Sequence, residues 1–227
     1  MGCINLSKQD VGIVLQARMG STRLPGKILL PLNGPCILER IIEKINSINL
    51  KHILIVATTT DPSDDVVEKF CSSLKVKVFR GNQYDVLDRY YRCALQFNFQ
   101  HIIRLTGDNP FLDEFRMLEL TEKHLKNNFD YSNNFESLPL GVGCEVFSFT
   151  ALQESFVLGK EKHHREHVNE YILENSSKFN FFIDDSKKIH PNLRLTIDTQ
   201  ADYDRAKNIF VKTNKSNPSL QEILAVI

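Results

Sequence analysis

Residues 11–31 read VGIVLQARMGSTRLPGKILLP, and both the fold and the chemistry start from this stretch. Val11, Ile13, Val14 and Leu15 form a short, β-branched apolar run of the kind that makes a buried strand. Directly behind it stand Arg18, Gly20, Ser21, Thr22, Arg23, Gly26 and Lys27. Such a loop offers backbone N–H groups at small residues and three fixed positive charges, which is what a polyphosphate requires. Pro25 stiffens the exit and Gly26 lets the backbone turn before the next apolar segment. A Walker A loop is not implied: five residues rather than four separate Gly20 from Gly26, and Ile28 follows Lys27 where Ser or Thr is required.

With 227 residues, 42% of them hydrophobic, the chain can bury one substantial core, so a single domain over residues 1–227 is expected. Lys+Arg and Asp+Glu balance at 28 each, which leaves no basic field to attract nucleic acid or an anionic membrane. No apolar run approaches the ~18 residues of a bilayer span, and the N-terminus carries no signal-peptide core. Met1, Gly2 and Cys3 open like a myristoylation signal, but Leu6 stands where Ser or Thr is wanted, so these residues read as a short leader. The five cysteines are scattered and lack a CxxC pair. Cys36, Cys71 and Cys93 fall in expected helices and Cys144 in an expected strand, which argues against a disulfide framework or zinc site and for a reducing cytoplasm.

Beyond the first loop, helical spacing of isoleucines predicts a helix over 35–48. Apolar runs predict strands at 52–57, 76–79 and 101–105. Between them, helices are expected through residue 74, capped by Asp61, and over 85–97. This alternation argues for right-handed βαβ units and a mostly parallel sheet, with ligands at the carboxyl ends of the strands. The loop after Leu105 reads Thr106-Gly107-Asp108-Asn109-Pro110. Asp113 is the better cap for the helix that follows through residue 127, which leaves Asp108 available to a metal. Further strands are expected at 130–134, 145–149, 180–183 and 193–197, the last ending in Asp198-Thr199 before a helix from Ala201. Mg²⁺ in nucleotide enzymes binds one or two carboxylates plus substrate phosphates, and Asp108 and Asp198 supply that pair if their strands lie close. Residues 160–171 carry His163, His164, Arg165 and His167, whose spacing is not that of an HExxH zinc helix. His164, Arg165 and His167 read instead as an acceptor pocket for a carboxylate or phosphate.

The run QARMGSTRLPGK, Gln16 to Lys27, resembles the nucleotide-binding loop of the cytidylyltransferases that activate acidic sugars such as Kdo and sialic acid. The likeness is greatest to the SpsF-like branch, named for spore-coat polysaccharide biosynthesis protein F. It extends over roughly 11–210 and includes VATTT, VFRGNQYDVLDRYY, the Gly107-Asp108-Asn109-Pro110 loop, EVFSF, HREHVNEYI and Ile197-Asp198-Thr199. The resemblance implies an α/β three-layer sandwich with a mostly parallel sheet, the nucleotide-diphospho-sugar transferase (GT-A-like) fold. It also implies a homodimer, with residues 130–175 as acceptor-binding and dimerisation region. It implies nucleotidyl transfer, in which an acceptor oxygen attacks the α-phosphorus of CTP and pyrophosphate leaves. Arg18, Lys27 and Asp108 would be catalytic, and Mg²⁺ would sit on Asp108 and Asp198. Gln16, Ala17, Arg18, Met19, Gly20, Ser21, Arg23, Lys27, Thr58, Thr59, Arg80, Arg104 and Thr106 would bind the nucleotide, and Glu145 would join His164, Arg165 and His167 on the acceptor.

Relatives often carry a DG-x-D pattern before the EVFS strand, whereas this chain has Leu140-Gly141-Val142-Gly143-Cys144. That departure, beside the basic 160–167 cluster, favours a small anionic acceptor, a sugar acid or a phosphorylated building block of a surface polysaccharide, over a neutral polyhydroxy sugar. Two other classes stay open. A GT-A-type glycosyltransferase would need a DxD motif at a strand end, and Asp202-Tyr203-Asp204 falls within the last long helix. A non-catalytic nucleotide-binding paralogue is disfavoured by the presence of Lys27, Asp108 and Asp198 together.

Overall fold

The structure, a computed structural model, describes residues 11–48, 52–185, 188–190 and 192–227. The expected leader, with Cys3 and Leu6, lies outside the described residues. In chain order the first half runs β1 (Val11–Gln16), α1 (Ile37–Asn46), β2 (Ile53–Thr59), α2 (Asp65–Ser73), β3 (Lys77–Gly81), α3 (Val86–Gln96), β4 (His101–Thr106) and α4 (Glu114–Asn127). The second half adds β5 (Tyr131–Asn133), β6 (Glu145–Ser148), α5 (Phe149–Leu158), α6 (Lys162–Glu166), α7 (Glu170–Glu174), β7 (Phe181–Ile183), α8 (Gln200–Thr213) and α9 (Leu220–Leu224).

The strands form one seven-stranded sheet in the order β3-β2-β1-β4-β6-β5-β7. β1 pairs in parallel with β2 on one side and β4 on the other, while β6 runs antiparallel to both β4 and β5. A strand flanked on both edges and both faces has no solvent side, which is why β1 reads as an unbroken apolar run. Ile13 and Leu15 point into a core shared with α1, α4, α8 and α9; Val14 points into a second core shared with α3, α5 and α7. The result is helix, sheet, helix: the expected three-layer α/β sandwich. Gly12 is required by that packing, since a Cβ there would lie 2.1 Å from the ring of Phe99.

Most expected elements are present with ends shifted by a residue or two, and Asp85, Asp113 and Thr199 cap their helices as acceptors. Two expectations are corrected. Cys36 is not in a helix; it is the residue that precedes α1 and bridges back to Pro31. Residues 193–197 are extended but join no strand ladder, touching Leu140 through an isolated bridge at Arg194. Their period-2 apolar pattern reflects burial of Leu195 and Ile197 against the core, not membership of the sheet. The described cysteines are all unpaired thiols, and among the described residues no helix is long and apolar enough to cross a membrane.

His124 on α4 is fully buried, between Ser132 at 2.9 Å and His101 at 3.2 Å. Burial, reinforced by the neighbouring His101, pushes its imidazole down to a pKa of about 3. An unfolded histidine takes its proton near pH 6.5, so this contribution is complete above that pH and is lost as pH falls towards the folded value. The slope is about 1.4 kcal/mol per pH unit. Thermal melts at pH 7, 6 and 5 should therefore show falling stability, and His124→Gln should flatten the slope even though it lowers the pH 7 value. An unchanged slope in the variant would contradict the assignment.

Candidate active site

Chain order reverses about β1: β2 and β3 lie on one side and β4 on the other. An open α/β sheet binds its ligand at such a switch point, outside the carboxyl ends of the strands. Here those ends are Gln16 and Thr106, which are direct partners in the ladder. Gly107 holds the two loops together by donating its N–H to Gln16 O at 2.7 Å. A Cβ on Gly107 would lie 3.0 Å from that oxygen and 3.1 Å from the Cβ of Ala17, so a larger residue would push the loops apart.

A cleft of about 430 Å³ opens over this point, lined by Gln16, Ala17, Arg18, Gly20, Ser21, Arg23, Lys27, Thr106, Asp108 and Asp198, and by Thr22 and Glu166. The loop forming its wall is folded on itself. Met19 O accepts from Ser21 N–H and from Gly26 N–H, and Leu24 is buried beneath. Gly26, in the left-handed region at φ 67°, starts a single 3₁₀ turn, Lys27–Leu29, which aims Lys27 back into the cleft. Asp64 anchors the loop from outside, accepting from Met19 N–H at 2.7 Å and from Thr59 N–H and Oγ1.

Lys27 is the centre of the site. Its ammonium donates to Asp108 Oδ2 at 2.9 Å, Asp198 Oδ1 at 3.0 Å and Ile197 O at 2.7 Å, with the side chain only 11% exposed. Asp198 also receives Arg23 at 3.0 Å and Arg194 on its other oxygen. Burial would raise its carboxyl, but the Lys27 hydrogen bond together with the charges of Lys27, Arg23 and Arg194 outweighs this and holds it below the usual carboxylate range. Asp108 and Asp198 are neighbours because Ile197 N–H donates to Asp108 O at 2.9 Å. Gly141, at φ 94°, lets the 138–142 loop lie against residues 195–196, where a Cβ would meet Thr196 N at 2.5 Å. Two carboxylates that already converge on one positive centre form an all-oxygen donor pair that fits a hard divalent cation.

Several expected residues lie elsewhere. Arg80 does not reach the cleft: it binds Asp65 and Glu68 on α2 and the carbonyls of Thr59 and Asp61. Thr58 and Thr59 are buried; Thr59 is bonded to Asp64, and Thr58 Oγ1 has no partner among the described residues. Met19 contributes only its backbone. Arg104 is held by Glu145, whose charge outweighs the effect of burial and raises the guanidinium above its ordinary value. Glu145 also accepts from Tyr131 Oη, so the expected acceptor contact is a buried internal pair. Both line a cavity of about 50 Å³ that shares Thr106 with the main cleft, together with Asn109, Phe135 and Gly143.

The expected acceptor pocket at 164–167 is not assembled. Arg165 binds Asp85 and the carbonyls of Phe156 and Gly159, His164 is buried against Glu174, and His167 is an exposed residue at the end of α6. His163, His164 and Glu174 do converge within 4.8 Å. His164 Nδ1, however, accepts the Glu161 N–H, so its proton sits on Nε2 and is donated to Glu174. A metal would need that lone pair and a donor at the other nitrogen, so this cluster is an internal hydrogen-bonded one. Sequence reasoning missed Arg194, Asp64 and Glu166. Arg194 and Glu166 reach the cleft, and Asp64 holds its loop from behind.

The sequence matches the family profile described as cytidylyltransferase over residues 12–225. It is 41% identical over 192 residues to an uncharacterized protein of Methanocaldococcus jannaschii, covering 84% of this chain and 79% of that one. It is 32% identical over 226 residues to the spore coat polysaccharide biosynthesis protein SpsF of Bacillus subtilis, covering 96% and 94%. A cytidylyltransferase structure from Leptospira borgpetersenii superposes with a TM-score of 0.89 at 32% identity, covering 96% of this chain and 93% of that one. With the polyphosphate-type loop and the two carboxylates meeting at the sheet's switch point, the chain belongs to the cytidylyltransferase family.

Proposed function

We propose that the protein transfers the cytidylyl group of CTP to a small anionic acceptor, a sugar acid or a phosphorylated sugar or metabolite, and releases pyrophosphate. The observation that carries this reading is the convergence of Lys27, Asp108 and Asp198 beside the 16–27 loop. In the reaction an acceptor oxygen forms a bond to the α-phosphorus, the bond from that phosphorus to the α–β bridging oxygen breaks, and the pair of electrons leaves with pyrophosphate. Arg18, Arg23 and Lys27 neutralise the triphosphate, and the Gly20 N–H and the Ser21 hydroxyl donate to its oxygens, the Ser21 N–H being taken by Met19 O. Gln16, at the floor of the cleft with a buried Oε1 that has no partner among the described residues, faces the base. Asp108 and Asp198 would hold a divalent cation, Mg²⁺, which when bound would supply positive charge to the phosphate oxygens.

The anionic class of the acceptor rests on residues 140–144, which bring no carboxylate to the site; the 164–167 cluster no longer supports it. The cavity beside Thr106 lies where the acceptor approaches. The likeness to the spore coat polysaccharide biosynthesis protein of Bacillus subtilis supports a place in surface-polysaccharide synthesis, which we assign to the cytoplasm. The protein acts as a homodimer through 130–175, a region that exposes Phe135, Leu140, Val157 and Leu158; sedimentation at micromolar concentration should give twice the chain mass.

The direct test is pyrophosphate release with Mg²⁺, comparing CTP with UTP, GTP and ATP across phosphorylated and carboxylated acceptors. Release with CTP and an anionic acceptor is expected; release only with neutral sugars would overturn the acceptor class. Asp108→Asn and Lys27→Ala should each lower turnover by about 10²–10³-fold, the cost of removing a donor that meets developing charge. Arg80→Ala, by contrast, should leave the KM for CTP within about twofold, because the side chain ties β3 to α2; its melting temperature is the quantity expected to fall.

A further inference from the structure

The ammonium of Lys27 stands where the carboxylate pair would hold a cation. Three N–H donors meet three acceptors, Asp108 Oδ2, Asp198 Oδ1 and Ile197 O, so the group is fully satisfied as it stands. The same lysine faces the cleft in which the triphosphate is read to lie. One residue therefore has two sets of partners, and they cannot be engaged together.

We propose that Lys27 is a built-in counter-ion that closes the Asp108–Asp198 pair to free divalent metal and yields it only to a metal–nucleoside triphosphate complex. This rests on the reading of Asp108 and Asp198 as metal ligands, and it adds the form in which the metal is accepted. The charge balance decides it. Two carboxylates already face three cations, Lys27, Arg23 and Arg194. A free dication arriving here must either sit against the ammonium or displace it. Displaced with no anion present, the ammonium would give up both carboxylates for the water of the cleft and would stand with Arg23 and Arg194 beside the dication, an excess of positive charge with nothing to balance it. A triphosphate removes that obstacle by supplying new oxygens for Lys27 as its metal takes the carboxylates. Each ion pair that Lys27 gives up is thereby replaced. Nucleotide and metal then bind with positive coupling, each raising the affinity of the other by the same factor.

The experiment is a Mn²⁺ titration of the full chain without nucleotide, followed by electron paramagnetic resonance. Lys27→Gln and Lys27→Met should bind Mn²⁺ more tightly than the unchanged protein by about tenfold or more, the usual size of a coupling between sites. Adding Asp108→Asn to either should remove the gain, which separates this site from the His163, His164 and Glu174 cluster. Lys27→Arg keeps a cation in place and should stay closed. Unchanged protein that already binds Mn²⁺ tightly through Asp108 would overturn the inference while leaving the carboxylate reading intact. Mn²⁺ affinity that Asp108→Asn alters in neither background would overturn both. A second readout needs no variant: the ¹⁵N–¹H signal of the Lys27 ammonium should ignore Mg²⁺ alone and shift when Mg²⁺ is added with a non-hydrolysable CTP analogue. A shift with Mg²⁺ alone would contradict the proposal.

Discussion

The contact on which this structure turns is the one between the Lys27 ammonium and the carboxylates of Asp108 and Asp198. It joins three parts of the chain that are far apart in sequence: the loop after β1, the loop after β4 and the segment leading into α8. Two carboxylates brought this close would repel one another without a cation between them. With Lys27 in place the negative charge is matched, and Ile197 N–H can bond to Asp108 O and lock the two backbones together. The electrostatics of the site and the closure of the second half of the fold against the first are thus one arrangement.

That arrangement is available because of the sheet order. β1 lies between β2 and β4, so the loops after β1 and β4 emerge side by side, and Gly107 allows them to touch. The antiparallel β6 then follows β4 and carries Glu145 back to neutralise Arg104 beneath the same edge. At the cleft Arg18 and Arg23 are exposed, Arg23 also reaching Asp198, while Lys27 is buried and paired and, in the layer below, Arg104 is mostly buried and paired. Arg89 is fully buried: it donates to Asn82 O, and its Nε and Nη2 have no partner among the described residues.

What was legible in the sequence was what local pattern dictates. The β1 run, the small and basic residues after it, and the Asp at the end of β4 are short strings whose spacing places them without knowledge of distant partners. Asp198 was found for a partly wrong reason, since residues 193–197 are not a sheet strand; the apolar alternation marked burial, and the cap at Thr199 fixed the end. What was not legible was the pairing of charges across long separations. Arg80, Arg165 and His164 look as available as Arg23 until α2, Asp85 and Glu174 fold against them. Nothing in the strings VFRGN or HREHV says which cation has a carboxylate waiting. The role of Gly141 was hidden likewise, because its need comes from Thr196, remote in sequence and close in space.

The central claim is that one cleft holds the triphosphate on the 16–27 loop and a divalent cation on Asp108 and Asp198. A crystal grown with a non-hydrolysable CTP analogue and Mn²⁺, with data collected at the manganese edge, tests it most directly. The account predicts a single anomalous peak between the two carboxylates, phosphate density against Arg18, Arg23, the Gly20 N–H and the Ser21 hydroxyl, and Lys27 turned from the aspartates to a phosphate oxygen. Manganese bound away from Asp108, or nucleotide seated on another face of the sheet with the Lys27 contacts intact, would contradict it.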